Sequence, residues 1–197
     1  MEIIKNISEN KRVRLKLLFS AENSKNSQEI LFQKCRRDIL FFINYFVWIF
    51  EPRNKQKTNI PFITFSYQDE TLLKLKRNIE DSKDIFIDKS RDMGVSWMVL
   101  VVGLWGAIFH GWTGLIGSRN QAEVDKTGDM DSLFPKIRYA YYRLPLWMRE
   151  KNTITDNWLN MTFRLGGAIS GESTNENFGT GGRRKWILFD EFSKWDN

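Results

Sequence analysis

The sequence is poor in the residues that build disulfides and transition-metal sites. Its 197 residues include one cysteine, Cys35, and one histidine, His110. A single cysteine excludes an internal disulfide and any multi-cysteine metal site, and a single histidine removes most histidine-based metal and triad chemistry. Hydrolytic chemistry in this chain would therefore depend on carboxylates, hydroxyls, Lys or Arg side chains and a bound cation.

A secretory signal is also missing from the start of the sequence. The first residues, MEIIKNISENKRVRLK, contain no apolar run followed by a small-residue cleavage site. We therefore expect a cytoplasmic protein.

One long stretch has no charged residue. Met93–Ser118 contains no Asp, Glu, Lys or Arg, and it is long enough to span a bilayer as a single helix. Gly111, Gly114 and Gly117 interrupt it, and its flanks show neither a clear aromatic belt nor a strong charge bias. We therefore expect a buried helix, a turn and a buried strand, and no membrane segment.

Positive charge is concentrated near the N-terminus. The chain has a formal net charge of +6, with 12 Lys/Arg against 6 Asp/Glu in residues 1–60 and 18 against 18 in residues 61–197. Such an excess is typical of a surface that contacts nucleic acid or another polyanion, and equally of a solvated helical face. Both interpretations stay open.

Apolar spacing divides the chain near residue 58. Residues 1–58 form a predicted helical subdomain with helices Lys11–Phe19 and Ser27–Phe50, the second ended by Pro52. Residues 59–197 alternate between strand and helix, which predicts an α/β fold with a mainly parallel sheet. The predicted helices there are Gln68–Ile79, Ser96–Phe109 and most of Asn120–Tyr142; the predicted strands are Asp84–Ile87, Thr113–Ile116, Leu159–Leu165 and Trp186–Phe189, with Ala168–Ser170 as a further candidate. The apolar run Trp186–Phe189 predicts a strand buried on both faces.

The segment IDKSRDMGVSW, residues 87–97, resembles a phosphate-binding loop with its lysine displaced. The usual loop, G-x-x-x-x-G-K-[ST], cradles phosphates with backbone N–H groups, places a lysine on the β/γ-phosphates and a hydroxyl on Mg²⁺. Gly94 and Ser96 fit this pattern, whereas Val95 stands at the lysine position and Lys89 at that of the first glycine. The candidate nucleotide-binding residues are Lys89, Ser90, Arg91, Asp92, Met93, Gly94, Val95, Ser96 and Trp97.

A second candidate element is WILFDE, residues 186–191, an apolar strand that ends in two carboxylates. P-loop ATPases need such a strand opposite the phosphate loop. Asp190 could hold Mg²⁺ as a hard oxygen ligand. Glu191 could orient and deprotonate the attacking water. Alone, two acidic residues after a strand are also typical of a solvated strand end.

A third element, ITFSYQ at residues 63–68, precedes the predicted strand Asp84–Ile87. The amide of Gln68 can pair with the donor and acceptor edge atoms of adenine, and Tyr67 could pack beside the base. Ser66 as a helix N-cap explains the same residues equally well.

The order of these segments resembles the N-terminal ATPase region of large terminase subunits, the motors that package DNA into the procapsids of tailed bacteriophages. The matching segments cover roughly residues 35 to 195 and are FINYFVWIFEPR, PFITFSYQ, KSRDMGVS, SRNQAEV, a Gly/Arg-rich loop and WILFDE.

The resemblance implies a P-loop ATPase of the additional-strand, catalytic-glutamate type that uses ATP and Mg²⁺. It implies that Lys89 or Arg91 supplies the catalytic cation that Val95 cannot, while Ser96 ligates Mg²⁺. Arg183 and Arg184 stand where terminases often carry an arginine near the nucleotide, acting in its own site or in a neighbour's.

The resemblance also implies partners and a setting. The partners are double-stranded DNA, the terminase small subunit and the portal protein. The assembled protein would form a homo-oligomeric ring in the host cytoplasm, without a membrane. For the isolated chain, a monomer is expected. The coupling motif that follows the DE strand and the C-terminal nuclease domain have no counterpart before Asn197, so we expect an ATPase core over residues 59–197 that is incomplete at its C-terminus.

Two alternatives stay open. One is a non-catalytic α/β module with a decayed phosphate loop, whose basic helical segment binds nucleic acid or a portal protein; Val95 favours it. The other is a helicase-like ATPase of superfamily 2, which also combines an adenine-reading Gln, a phosphate loop and a DE pair, although the usual GKT loop is missing.

Overall fold

The computed structural model describes residues 3–53, 56–90, 93–150, 153–173 and 177–191, and confirms an α/β fold. The helices are α1 (Ile7–Glu22), α2 (Lys25–Arg37), α3 (Ile39–Phe46), α4 (Ser66–Glu80), α5 (Val95–His110), α6 (Gln121–Val124), α7 (Leu133–Tyr142) and α8 (Leu146–Glu150). The strands are β1 (Trp48–Phe50), β2 (Asn59–Pro61), β3 (Thr113–Ser118), β4 (Thr153–Asn157), β5 (Asn160–Phe163), β6 (Ala168–Ser173) and β7 (Trp186–Phe189).

The predicted single helix Ser27–Phe50 is wrong, because Asp38 divides it. Asp38 has extended backbone angles, and its carboxylate accepts a hydrogen bond from Phe41 N at 2.9 Å, which caps α3. Its own N–H donates to Lys34 O at 2.9 Å at the end of α2. The last residues of the predicted helix form β1, which pairs antiparallel with β2.

A buried arginine joins α1 to the end of α3. The Arg14 side chain donates to the Val47 and Ile43 carbonyl oxygens at 3.0 and 3.3 Å, and to Asn10 Oδ1 at 3.0 Å. These carbonyls lie at the C-terminus of α3, where they also accept backbone hydrogen bonds from Val47 N and Phe62 N. Burial lowers the pKa of Arg14. The helical part is therefore fastened by a cation that the apolar pattern does not reveal.

Helix α5 runs through the centre of the hydrophobic core. Its residues Met98–Phe109 are all buried, and Trp105 Nε1 donates to Cys35 O in α2 at 2.8 Å. The core is continuous from the helical part across residue 58 into the sheet region. With its 16 residues, α5 is too short to cross a membrane, and within the described ranges no helix has the length and apolar character to do so.

The five-stranded sheet has the order β4-β5-β6-β3-β7 and is mixed, so the mainly parallel sheet predicted from the sequence is wrong. Strand β3 is parallel to both β6 and β7, whereas β4, β5 and β6 form an antiparallel meander. The meander turns are too short for helical crossovers, which parallel neighbours require.

Strand β7 is exposed on one face, so the prediction of a strand buried on both faces is wrong. Trp186 is buried, but Ile187 and Phe189 are 40% and 45% exposed. Trp186 occupies space that two glycines leave open: a Cβ on Gly103 or Gly114 would lie 2.2 or 2.1 Å from its ring. These contacts fix β7 against α5 and β3.

Residues 83–90 form no helix and no strand, so the predicted strand Asp84–Ile87 is wrong. The segment follows α4 and runs in the same direction as β7. At its start, Lys185 Nζ donates to Glu80 O at 3.0 Å. At its end, Lys89 is close enough for its charge to act on Asp190. The segment therefore brings the start of the predicted phosphate loop to the end of β7.

Candidate phosphate site

The carboxyl ends of β3 and β7 lie side by side, because these strands are parallel and in register from Gly114 opposite Trp186 to Gly117 opposite Phe189. Asp190 N then donates to Gly117 O at 3.0 Å. Glu191 follows with a positive φ of 52°, which is uncommon for a residue other than glycine. The chain thus turns at the DE pair, directly after β7.

The positive charge of Lys89 acts on Asp190, the first residue of the DE pair. Burial raises the pKa of Asp190, the charges of Glu191 and Glu123 add to that increase, and the positive charges of Lys89 and Lys136 oppose it. A nearby opposite charge favours the charged form of a carboxylate. The structure therefore places the charge of Lys89 within reach of Asp190, a residue about 100 positions later in the sequence.

The first turn of α5, which begins six residues after Lys89 in the sequence, supplies backbone donors. Gly94 precedes the helix in the left-handed conformation, with φ 75°. The first intrahelical bond runs from Met98 N to Gly94 O at 3.0 Å, so the N–H groups of Val95, Ser96 and Trp97 have no intrahelical acceptor. Such donors suit phosphate. Arg91 and Asp92 lie outside the described residues, and Lys89, Ser90 and Met93 are exposed.

Gln68 holds the loop in place from the neighbouring helix. It is 6% exposed, its Oε1 accepts from Phe65 N at 3.1 Å, and its Nε2 donates to Met93 O at 3.1 Å. Both ends of the amide are therefore engaged, and pairing with adenine would require these bonds to be exchanged. Tyr67 is 44% exposed and stacks on the Phe65 ring at 5.8 Å, so its ring is accessible to a base.

Lys136 is a cation of this site that sequence reasoning missed. It is half-buried on α7, and Nζ donates to Asp131 O at 2.6 Å. Burial lowers the pKa of Lys136, while the negative charge of Asp190 opposes that decrease. Lys136 also lines a cleft of about 610 Å³ together with Trp97, the residue after Ser96. The cleft adjoins the predicted loop, but neither Lys89 nor Asp190 lines it. No spacing in the sequence links α7 to the loop.

Glu123 is a second missed residue. Its carboxylate accepts from Ser118 Oγ at 2.9 Å and from Arg119 Nη2 at 2.6 Å, just beyond the end of β3. Burial raises the pKa of Glu123, but these two bonds and the Arg119 charge leave it lowered overall. The only sequence signal for this group is the segment SRNQAEV, one of the segments that resemble terminase large subunits.

Arg183 and Arg184 lie just before the amino end of β7, opposite to the end that carries Asp190. Thr113 Oγ1, at the start of β3, donates to Arg183 O at 3.2 Å, and Lys185 N donates to Thr113 O at 2.7 Å. The four residues of β7 separate this end of the strand from Asp190 by about 13 Å, at about 3.3 Å per residue. The structure thus does not bring either arginine to the DE pair of its own chain.

The donor set can be tested against the implied Mg²⁺. Within the described ranges, no group of three or more His, Cys, Asp or Glu residues forms a metal site. Magnesium bound with a nucleotide needs fewer protein ligands, because phosphate oxygens and waters complete its shell. One hydroxyl, Ser96, and one carboxylate, Asp190, match that requirement in chemistry.

Comparison with known proteins gives no assignment. No protein-family model matches the chain, and no curated protein matches its sequence.

Proposed function

We propose that this chain is an Mg-ATP-dependent ATPase of the P-loop type, with the phosphates bound between the first turn of α5 and the carboxyl end of β7. The observation that carries the proposal is the position of Lys89, whose positive charge acts on Asp190 at the end of β7. A decayed phosphate loop would not require a lysine near the DE pair, which lies about 100 residues later in the sequence.

Each residue has a chemical role in this proposal. Bound Mg²⁺ would neutralise charge on the phosphates, held by Ser96 and Asp190. Lys89 replaces the lysine that Val95 cannot provide, and the N–H groups of the first turn bind phosphate oxygens. Glu191 accepts the proton of the attacking water, a role that needs reach to the water and not to the metal.

Lys136 adds a second positive charge. Its ammonium group comes from α7, and among the charges that act on its pKa, that of Asp190 has the largest effect. Together with Lys89, it would supply cations from two segments of the chain to the phosphate charge that develops during transfer, as in other phosphoryl-transfer sites. Whether Arg91 shares this task is a prediction from the sequence alone.

The biological setting in the proposal comes from the resemblance to terminase large subunits. It is the hydrolysis of ATP coupled to DNA translocation into a procapsid, in a ring of copies with the small subunit and portal protein, in the host cytoplasm. The distance between Arg184 and the DE pair agrees with an arginine that acts on a neighbouring copy.

Binding of Mg-ATP tests the proposal most cheaply. At about 100 times its dissociation constant, a ligand stabilises the folded chain by about 2.7 kcal/mol, which scanning fluorimetry detects as a higher melting temperature. Lys89→Ala should reduce the affinity about tenfold or more, because a charge-assisted contact contributes roughly 1.5–3 kcal/mol.

Lys83→Ala is the matched control. Lys83 lies in the same extended segment but at its far end, where it pairs with Asp81 at 3.1 Å. Its loss should leave the affinity for Mg-ATP unchanged. If millimolar Mg-ATP produces no melting shift in the wild type, the non-catalytic module becomes the better account.

A further inference from the structure

A cationic pocket of about 350 Å³ lies at the end of α5 remote from the phosphate loop. Arg36 and Arg37 come from the last turn of α2, Lys76 and Glu80 from α4, and His110 is the final residue of α5. Because His110 lies 14 residues after Ser96 in α5 and the helix rises about 1.5 Å per residue, about 21 Å separate the two residues. The pocket is a separate site from the one proposed for ATP.

The positive charges of the pocket are only partly neutralised. Lys76 pairs with Glu80 at 2.7 Å, and no ion pair is formed by Arg36 or Arg37 within the part of the chain that the structure describes. Three cations and one carboxylate leave a formal charge of +2 with His110 neutral. Both arginines are exposed, so their guanidinium groups remain available to an incoming anion.

His110 is placed to sense that charge. Its Nε2 lies 3.0 Å from Arg36 O, and its ring lies 4.4 Å from that of Trp105, which also lines the pocket. Burial lowers the pKa of His110, and the charges of Arg36 and Lys76 lower it further, whereas the hydrogen bond to Arg36 O and the charge of Glu80 raise it. An anion beside the two arginines would therefore raise this pKa.

We propose that this pocket binds a dianionic phosphate group, of the kind that a phosphomonoester carries. A phosphomonoester has a charge of about −1.5 to −2 at pH 7, which matches the +2 of the pocket, whereas a phosphodiester carries a single negative charge. Two guanidinium groups can each bind phosphate oxygens through paired N–H donors, and the imidazole and ammonium groups add further donors. The inference does not depend on the proposed ATPase activity.

The single histidine of the chain makes the test direct. The imidazole resonance of His110 is followed by NMR as a function of pH, with sulfate as the probe because it stays dianionic through the whole titration. We expect sulfate to raise the pKa of His110 above its value in chloride at equal ionic strength. Equal pKa values in the two salts would overturn the proposal.

Affinity for inorganic phosphate, measured by calorimetry at pH 7.5, tests the arginines. Arg37→Ala and, separately, Arg36→Ala should each weaken phosphate binding roughly tenfold or more. Arg12→Ala removes an exposed arginine of α1 and should have no effect. Wild-type affinity in both pocket variants would overturn the proposal.

Dimethyl phosphate tests the preference for a dianion. We expect it to bind at least tenfold more weakly than inorganic phosphate. Equal affinity for both would show that the pocket does not select a phosphomonoester and would overturn that part of the inference.

Discussion

Substitution of Gln68 by Ala separates two roles for this residue. In the structure its amide connects the start of α4 to the loop, by accepting from Phe65 N and donating to Met93 O at 3.1 Å each. The sequence predicts a different role, pairing with adenine. If Gln68 supports the loop, Gln68→Ala should lose folding stability even without nucleotide. If Gln68 pairs with adenine, the variant should lose its selectivity for the base.

The magnitude follows from the two bonds. The bond from Phe65 N satisfies the N–H group of the N-cap residue of α4, and a hydrogen bond of this kind contributes about 0.5–1.5 kcal/mol. The bond to Met93 O contributes about 0.5–1.5 kcal/mol, reduced where water reaches the partly exposed Met93. We therefore expect Gln68→Ala to lower the free energy of unfolding by about 1–3 kcal/mol.

Urea unfolding without nucleotide measures this difference. Gln33→Ala is the matched control, because Gln33 makes one surface hydrogen bond, to Glu29 Oε1 at 2.9 Å, and its loss should cost about 0.5 kcal/mol or less. A Gln68→Ala protein as stable as the wild type, with reduced preference for ATP over GTP, would refute the role in loop support and favour adenine recognition.

Three further predictions concern the fold. Arg14→Met should destabilise the chain by about 2–4 kcal/mol, because it removes a buried charged donor from two helix-end carbonyls. Arg12→Met, at an exposed site of the same helix, should change stability by less than about 0.5 kcal/mol. Denaturant unfolding of the two variants measures the difference. Gly103→Ala should destabilise by roughly 1–2 kcal/mol, because overpacking against Trp186 outweighs about 1 kcal/mol of helix propensity; a higher melting temperature would contradict the packing described. Asp38→Ala should cost about 1 kcal/mol through loss of the α3 cap, and hydrogen exchange should show faster opening of that helix.

The α/β class and the central elements could be predicted because their signals are local and strong. Helix α5 is apolar on every face, begins after Gly94 and ends at Gly111, and its predicted bounds differ from the observed ones by one residue at each end. The Asp38 break was not predicted, because the apolar spacing continues across it and a single N-cap residue weighs little against such a pattern.

The sheet was predicted less well, because pairing partners are not local properties. The polar segment Thr153–Asn157 gives little strand signal, yet it forms β4 by pairing with its neighbour β5. The apolar run of β7 was expected to be covered on both faces, but the run shows only that the residues are apolar. Which faces other elements cover depends on the whole fold.

The candidate site was predicted in part for the same reason. Lys89, Gly94, Asp190 and Glu191 belong to segments with recognisable patterns. Lys136 belongs to an ordinary amphipathic helix, and only the tertiary structure brings it to the cleft beside Trp97.

The central claim is that Glu191 is the base of an ATPase whose phosphates are bound at Lys89 and Asp190. Single-turnover hydrolysis of Mg-ATP, compared between the wild type and Glu191→Gln at high protein concentration with DNA present, tests it most directly. Gln keeps the shape of Glu and removes the base, so the affinity for nucleotide should stay within a few fold while the rate falls about 10² to 10⁴-fold. Hydrolysis at the same rate in both proteins would contradict the account.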